Sequence, residues 1–370
     1  MKELLRKRIK ELTSLIGVSG DEWDVAEYIY HALDGFVDEL EVRDNGQVIA
    51  IKKGTMEGPR VLVTAHMDEV GYRIKGIDEN GFAYFDAIGS ATQACLPGRK
   101  VIVRGKKGTI TGVVGVRAAH LLTEEQKKQP QTAAQSYIDL FVSTKQEALD
   151  LGIYMGASVV PDSPCTEVPH NPDYMITRAA DCRLLCAVII ETIKKLKPEE
   201  IHGEVCAVFN ILEETTIRAI SSAVTYLKPK YGFFLDTVPC GDVPDVNTME
   251  LPIALKKGPT LITSMSIASA FMNVVAHPKL VEAAKNTAEK NGISYQEFAF
   301  NGATYGTDAI GAIYAGEGMA TLTIACPRRF SHSPVEIFHM EDVVGTQKLV
   351  ESLLKQNIDL KMFKKKLFQK

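Results

Sequence analysis

The side chains best suited to chemistry in this sequence stand where apolar runs end. Residues 61–65 lead directly into His66, with Asp68 two positions later. This run is rich in β-branched residues and too short for a stable helix, so it predicts a buried strand, and open α/β sheets place their chemistry at the carboxyl ends of such strands. His66 and Asp68 would point to the same side, where a carboxylate commonly orients a metal-bound imidazole. The alternative is a histidine hydrogen-bonded to its own turn.

The same pattern recurs along the chain at Asp181, at Glu213 with Glu214, at Asp236 and at His332. Adjacent carboxylates can share a site only if a cation or a raised pKa relieves their repulsion. Helix capping would explain each of the carboxylates separately, and hydrogen bonds to its flanking serines would explain His332. Capping does not explain two histidines among five strand ends, which we expect to converge on one edge of one sheet.

This set of side chains indicates metal-assisted hydrolysis. Two histidines with three or more carboxylates suit a pair of divalent ions, zinc above all, with one carboxylate bridging. A bridged pair generates hydroxide near neutral pH and polarises a carbonyl group. One carboxylate must then stay off the metals as general base. Glu213 and Glu214 would point opposite ways in extended backbone, so one could ligate while the other moves protons.

The composition excludes several other classes of protein. The 370 residues are 45% apolar and 24% charged, with a formal net charge of -4, so no nucleic-acid partner is expected. No apolar run approaches the roughly 20 residues of a membrane span, and no signal-peptide pattern is present, which predicts a cytoplasmic protein without a membrane partner. Seven scattered cysteines without a C-x-x-C pair argue against a disulfide framework and a zinc ribbon.

The chain length predicts two domains. Residues 1–71 and 169–370 alternate strand and helix patterns, including a long helix predicted at 269–292. They predict an α/β domain whose central mixed, mostly parallel sheet is flanked by helices. Residues 72–168 instead form short β-rich runs separated by glycines, which predicts an inserted small barrel-like or sandwich domain. Both ends of this insert lie next to candidate ligands, so it is well placed to shape a site.

The sequence also resembles a known family, the M42 metallo-aminopeptidases of the glutamyl aminopeptidase and tetrahedral aminopeptidase group. The matching segments span nearly the whole chain in the family's order. They are Ala65-His66-Met67-Asp68-Glu69-Val70-Gly71, Ala180-Asp181-Cys182-Arg183, Glu213-Glu214, Leu235-Asp236, Gly306-Thr307-Asp308-Ala309 and His332-Ser333-Pro334-Val335-Glu336.

The resemblance implies a zinc-peptidase-like catalytic domain interrupted by a β-rich domain used in assembly, with peptides as substrates and a homo-oligomer between a dimer and a dodecamer. It implies two divalent ions per subunit, zinc or cobalt. The implied ligands are His66, Asp181, Glu214, Asp236 and His332. Asp181 would bridge the two ions, Glu213 would be the general base, and Asp68 would orient His66.

The chain departs from the family's pattern around these positions. Cys182 stands where the family usually has Asp or Asn, and Leu212 stands where Gln is usual. Residues 215–220, Thr-Thr-Ile-Arg-Ala-Ile, replace the usual Val-Gly-Leu-Arg-Gly-Ala. These changes concern the substrate pocket and the surroundings of the ligands. The Cys182 thiol could itself ligate a metal, although core packing beside Cys186 on one helical face is the alternative.

The leading hypothesis is an aminopeptidase that removes single N-terminal residues, with metal-bound hydroxide attacking the first carbonyl group. A deacylase or carboxypeptidase on the same scaffold is the nearest alternative, and a non-catalytic assembly protein is another, although the intact Glu213 speaks against it. An aminopeptidase must hold a free α-ammonium group. Asp308 is the remaining candidate carboxylate, with an N-cap of a helix near Ala309 as its alternative role.

Overall fold

The helices surround a central sheet in the computed structural model, which describes residues 1–129, 131–267, 272–300 and 305–362. The helices are α1 (Lys2–Ser14), α2 (Trp23–Leu33), α3 (Lys145–Asp150), α4 (Ala180–Lys195), α5 (Ile220–Leu227), α6 (Pro278–Lys290), α7 (Asp308–Ala312) and α8 (Met340–Leu354). Within the described ranges, none of these helices has the length and apolar character needed to cross a membrane.

The strands form a large sheet, a small sheet and a closed barrel. They are β1 (Glu39–Val42), β2 (Val48–Lys53), β3 (Met56–His66), β4 (Gly71–Ile77), β5 (Ala83–Ile88), β6 (Lys100–Gly105), β7 (Gly108–Val114), β8 (Ile138–Asp139), β9 (Ser158–Pro161), β10 (Thr166–Val168), β11 (Asn171–Thr177), β12 (His202–Asn210), β13 (Tyr231–Pro239), β14 (Thr260–Ile267), β15 (Met272–Val275), β16 (Gln296–Phe300), β17 (Ala320–Arg328) and β18 (Glu336–His339).

The large sheet has the order β1-β2-β12-β3-β13-β17-β14-β15, with β16 paired to β14. Its four middle strands, β12, β3, β13 and β17, are all parallel, while β2 and β14 flank them in antiparallel pairing. Parallel strands end at the same edge of a sheet, so the residues that follow these four strands are brought together. The predicted α/β class with a mixed, mostly parallel sheet is confirmed.

Both faces of the large sheet are buried, which explains why its middle strands are continuously apolar. Val61 and Val63 of β3 join a core built with residues of α1, α2, α4, α6 and α8. Leu62, on the opposite face, joins a core with residues of α5 and α7. Every residue of α4 from Ala180 to Ile193 is buried, and two of its first residues, Asp181 and Cys182, have non-helical backbone dihedrals before the regular helix begins.

The barrel closes through the strand order β4-β5-β8-β7-β6-β9, with β9 pairing back to β4. Its interior includes Tyr72 and Phe85, whose rings meet edge to face with centroids 5.4 Å apart. Helix α3 lies in the same segment, and the side chain of Thr144 caps it by accepting a hydrogen bond from the Glu147 N–H. The predicted β-rich insert therefore contains a true closed barrel.

The predicted long helix at residues 269–292 is wrong in its first half. Residues 268–271 lie outside the described residues, and Met272–Val275 is a strand that pairs with β14. Helix α6 begins only at Pro278. Proline lacks the backbone N–H and disfavours helical geometry at the residue before it, here His277, so the helix cannot extend further toward the N-terminus.

Candidate active site

The structure brings the predicted metal-ligating and catalytic side chains to one edge of the large sheet. His66 is the last residue of β3, Glu213 and Glu214 lie in the turn after β12, and His332 follows β17. Asp236 lies inside β13 rather than at its end. The expectation that all five strand ends belong to one sheet is wrong for Asp181, because the preceding strand β11 belongs to the small sheet β10-β11-β18.

Asp181 is the centre of the cluster. Its Oδ1 lies 3.1 Å from Nε2 of His66, and its Oδ2 lies 3.3 Å from Nε2 of His332. His332 Nε2 is also 3.3 Å from Oε2 of Glu214. Two groups of donors share Asp181: one contains His66, Cys182 and Asp236, the other contains Glu214 and His332, and the atoms of each group lie within 4.8 Å of one another.

Asp68 contacts both His66 and the turn that contains Glu213 and Glu214, here called the glutamate turn. Its buried carboxylate has Oδ1 3.3 Å from Nδ1 of His66, and it accepts the backbone N–H groups of Glu213 at 3.0 Å and Glu214 at 3.1 Å. The expected extended backbone at the glutamates is wrong, because they lie in a turn that starts at Leu212, whose φ is 59°. The turn still separates them: Glu214 joins the donor group with His332, while Glu213 Oε2 lies 3.9 Å from His66 Nε2.

The electrostatics of the cluster fit a pair of divalent cations. Burial, together with the neighbouring carboxylates, raises the pKa of Glu214 to about 8 and the pKa values of Glu213 and Asp236 well above their usual range. The buried Glu214 Oε1 has no hydrogen-bond partner among the described residues. Carboxylate and imidazole donors are the ligands that zinc and similar ions take in proteins, and such ions would relieve this repulsion.

A cavity of about 600 Å³ opens directly onto the cluster. Ligand pockets in proteins commonly have volumes of about 300 to 1,000 Å³, so this cavity has room for the end of a peptide. Its lining includes the carboxylates Asp181, Glu213 and Asp236, together with the side chains of Ile217 and Tyr305. A molecule bound in this cavity would therefore lie beside the candidate ligands.

Both cysteines of α4 are buried and hydrogen-bonded. Cys182 Sγ donates to the carbonyl of Leu235 at 3.4 Å, and Cys186 Sγ donates to the carbonyl of His66 at 3.1 Å. Burial and the charge of Asp236 raise the pKa of Cys182 well above the usual value for a thiol. Cys182 belongs to one of the two groups of donors that could hold an ion, but its thiol also packs in the core, so its position is consistent with both of its predicted roles.

Asp308 is buried at the start of α7. It is not the N-cap, because the side chain of Thr307 performs that role by accepting the Ala309 N–H at 3.3 Å. Asp308 Oδ1 accepts a hydrogen bond from Asn210 Nδ2 at 2.8 Å, and burial raises the pKa of Asp308 to about 7. Among the described residues that line the cavity, Asp308 does not appear. Its role as partner of an α-ammonium group stays a prediction.

Arg328 belongs to the site but was not predicted from the sequence. Its guanidinium donates to Asp181 Oδ2 and, at 2.6 Å, to Glu336 Oε1. Burial acts to raise the pKa of Asp181, but this guanidinium and the hydrogen bonds from the two imidazoles hold that pKa well below its usual range. An Arg-Arg pair closes the apolar strand β17 in the sequence, but nothing local to this pair indicates that Arg328 turns toward the buried carboxylates.

Comparisons with known proteins identify the family of this chain. A family model described as M42 glutamyl aminopeptidase matches residues 46–349. A putative aminopeptidase of Acetivibrio thermocellus is 30% identical over 348 residues, covering 92% of this chain and 96% of that protein. An aminopeptidase structure from the archaeon Desulfurococcus kamchatkensis superposes with a TM-score of 0.88 at 27% identity, covering 96% of both chains. The Pyrococcus horikoshii TET1 peptidase, which can assemble into a tetrahedron or a large octahedral shell, has a TM-score of 0.81 at 29% identity, covering 94% of this chain and 98% of its own. The chain therefore belongs to the M42 peptidase family, as the resemblance of its sequence predicted, and is a peptide-bond hydrolase.

Proposed function

We propose that this protein is a dinuclear-metal aminopeptidase that removes the N-terminal residue of peptides. The observation that carries the proposal is the Asp181 carboxylate, which two groups of metal-competent donors share in the lining of the cavity. A shared carboxylate between two such groups is the arrangement expected of a bridging ligand in a two-metal site. Family membership supports peptidase chemistry at this site.

The proposed roles follow from the positions of the side chains. His66, Asp181 and Asp236 would hold one cation, and Asp181, Glu214 and His332 the other. Two bound divalent cations, zinc or cobalt, would polarise the scissile carbonyl and lower the pKa of a water molecule. Glu213 would accept the proton of the attacking water and deliver it to the departing amine.

Asp68 supports these roles from outside the ligand set. It faces Nδ1 of His66, which leaves Nε2 of that ring directed at Asp181. It also accepts the two backbone N–H groups of the glutamate turn. The backbone carbonyl of Asp68 also lies 3.0 Å from Nδ1 of His66, so Asp68 fixes the tautomer of a ligand through both groups, while its carboxylate fixes the position of the proposed base.

The substrate class can be tested with a free-amine aminoacyl anilide and its N-acetylated counterpart. We expect the parent enzyme to hydrolyse the free-amine substrate, to lose this activity on chelation, and to regain it with zinc or cobalt. N-acyl amino acids and peptides with a free carboxyl end serve as the comparison panel. Preferential hydrolysis of the N-acetylated compound would move the assignment to a deacylase, and release of C-terminal residues would move it to a carboxypeptidase.

The same pair of substrates tests Asp308 as the proposed partner of the α-ammonium group. In an Asp308→Asn variant the loss should be confined to the free-amine substrate and amount to a few kcal/mol of transition-state stabilisation, roughly the cost of truncating one partner of a desolvated charge pair. Asn210→Ala, which removes the donor to Asp308, is the matched control. Equal losses on both substrates would indicate that Asp308 only positions its neighbours.

Assembly is the proposed role of the β-rich insert, residues 72–168. In support, large apolar side chains of this segment are exposed, with Leu121 65% and Phe141 67% accessible, and solved relatives form large oligomers. Exposed apolar groups of this kind commonly mark protein interfaces. We expect a Leu121→Glu, Phe141→Glu double variant to give smaller particles in light scattering. Met249→Glu, at an 88% exposed site outside the insert, is the control. An unchanged particle mass in the folded double variant would contradict the proposal.

A further inference from the structure

Arg328 places a permanent positive charge inside the proposed metal site. Its side chain is 3% exposed and lines the cavity. Besides the bond to Asp181 Oδ2, its Nη1 donates to Glu336 Oε1 at 2.6 Å and its Nε donates to Thr237 Oγ1 at 2.5 Å. These three bonds fix the guanidinium plane, and an arginine remains protonated at any pH at which the protein is folded.

The positive charge of Arg328 lies beside only one of the two groups of candidate metal ligands. Asp181 Oδ1 faces His66, at 3.1 Å from its Nε2, whereas Oδ2 is the oxygen 3.3 Å from Nε2 of His332. His332 in turn lies 3.3 Å from Glu214. Because Arg328 donates to Oδ2, it sits against the donor group of Asp181, Glu214 and His332.

We propose that Arg328 makes the two cation positions unequal, so that the position formed by Asp181, Glu214 and His332 binds its ion weakly and exchangeably. This inference rests on the proposed two-cation function. The hydrogen bond from the guanidinium makes Asp181 Oδ2 a weaker metal ligand. The positive charge of Arg328 also repels a cation bound between Asp181, Glu214 and His332. Among the described residues, no guanidinium or ammonium group donates a hydrogen bond to Asp181 Oδ1, so the position formed by His66, Asp181 and Asp236 keeps the tighter ion.

Arg328 is not free to move aside when an ion binds. Glu336, which is 2% exposed, accepts hydrogen bonds from Arg328, from the backbone N–H of His332 at 2.9 Å and from the backbone N–H of Asp181 at 3.3 Å. Withdrawal of the guanidinium would leave this carboxylate buried and without its ion-pair partner, which is costly. The charge should therefore remain in place in the loaded enzyme.

The test is a titration of the metal-free protein with Co²⁺ alone, followed by visible absorption and by metal analysis after equilibrium dialysis. In the wild type we expect one tight and one weak Co²⁺ per chain. Arg328→Met should tighten the weak one by roughly 10- to 100-fold, the range typical of changes next to metal ligands. If circular dichroism shows that Arg328→Met does not fold, Arg328→Gln, which removes the same charge, is used in its place. Arg329→Met is the control, since Arg329 pairs with Asp242 instead, at 2.7 Å.

Three results would overturn the inference. If the neutral variants bind the second Co²⁺ with wild-type affinity, Arg328 does not control it, and the two-cation function survives. If Arg329→Met tightens the second ion as much, the effect is one of overall charge. If no protein takes up more than one Co²⁺ at saturation, both this inference and the dinuclear function are wrong.

Discussion

Replacement of Glu213 by glutamine should lower kcat/KM by roughly 10²- to 10⁴-fold, the usual contribution of a general acid–base group, while both metal ions stay bound. The reason is positional. Glu213 faces the cavity and lies 3.9 Å from His66, but it belongs to neither group of donors that could close around an ion. Glutamine keeps the size of the side chain and removes only its ability to accept and return a proton.

The matched control for this experiment is Glu214→Gln. Glu214 has a buried Oε1 without a hydrogen-bond partner among the described residues and an Oε2 beside His332. This variant should lose an ion, measured by metal analysis after equilibrium dialysis at a metal concentration that fills both positions of the wild type, and its activity should recover at raised metal concentration. If Glu213→Gln loses the ion and Glu214→Gln retains it, the two roles have been exchanged.

The positions of His66, Glu213 and Glu214 at one edge of the sheet could be predicted from the sequence because each follows a recognisable local signal. A β-branched run before His66 indicates a buried strand regardless of what surrounds it, and the same holds for the run before Glu213. Parallel strands in a helix-flanked sheet then bring those ends together. The structure agrees: β3 and β12 are parallel neighbours, and Asn210 is paired with His66.

Other features of the site could not be predicted, because they depend on tertiary contacts that leave no local signal in the sequence. Nothing in the sequence around β11 shows that this strand pairs with β18 instead of joining the large sheet, so the sequence wrongly predicts that Asp181 follows a strand of the large sheet. The partners of Arg328 are Asp181, 147 positions away, and Glu336, 8 positions away, so its burial against the site could not be foreseen. The turn at the two glutamates depends on Asp68, which lies 145 positions before Glu213.

A second large effect is expected on stability, at Glu69. This carboxylate is 2% exposed and pairs with two buried arginines, Arg178 at 2.6 Å and Arg183 at 3.0 Å. Arg183 is fully buried and also donates to the carbonyl of Leu12 at 3.0 Å and to that of Met67 at 2.8 Å. The cluster therefore ties the end of α1 and the segment after β3 to α4.

Glu69→Gln should reduce the free energy of unfolding by roughly 3 to 5 kcal/mol, because it leaves two buried guanidinium groups without their shared counter-charge. The measurement is urea unfolding of metal-free protein by circular dichroism, at one fixed protein concentration so that assembly does not shift the result. Glu204→Gln is the control. Glu204 pairs with Arg60 at 2.6 Å, but the two side chains are 27% and 37% exposed, and pairs of this kind contribute about 1 kcal/mol or less.

The comparison between the two variants decides what Glu69 does. A loss several times larger than that of Glu204→Gln would show that Glu69 neutralises the arginine cluster. A loss no larger than the control would mean that the backbone carbonyls around Arg183 satisfy it without the carboxylate. The effect should also reach the site, because Glu69 directly follows Asp68, which contacts His66. Co²⁺ affinity in Glu69→Gln is expected to fall even under conditions in which the variant remains folded.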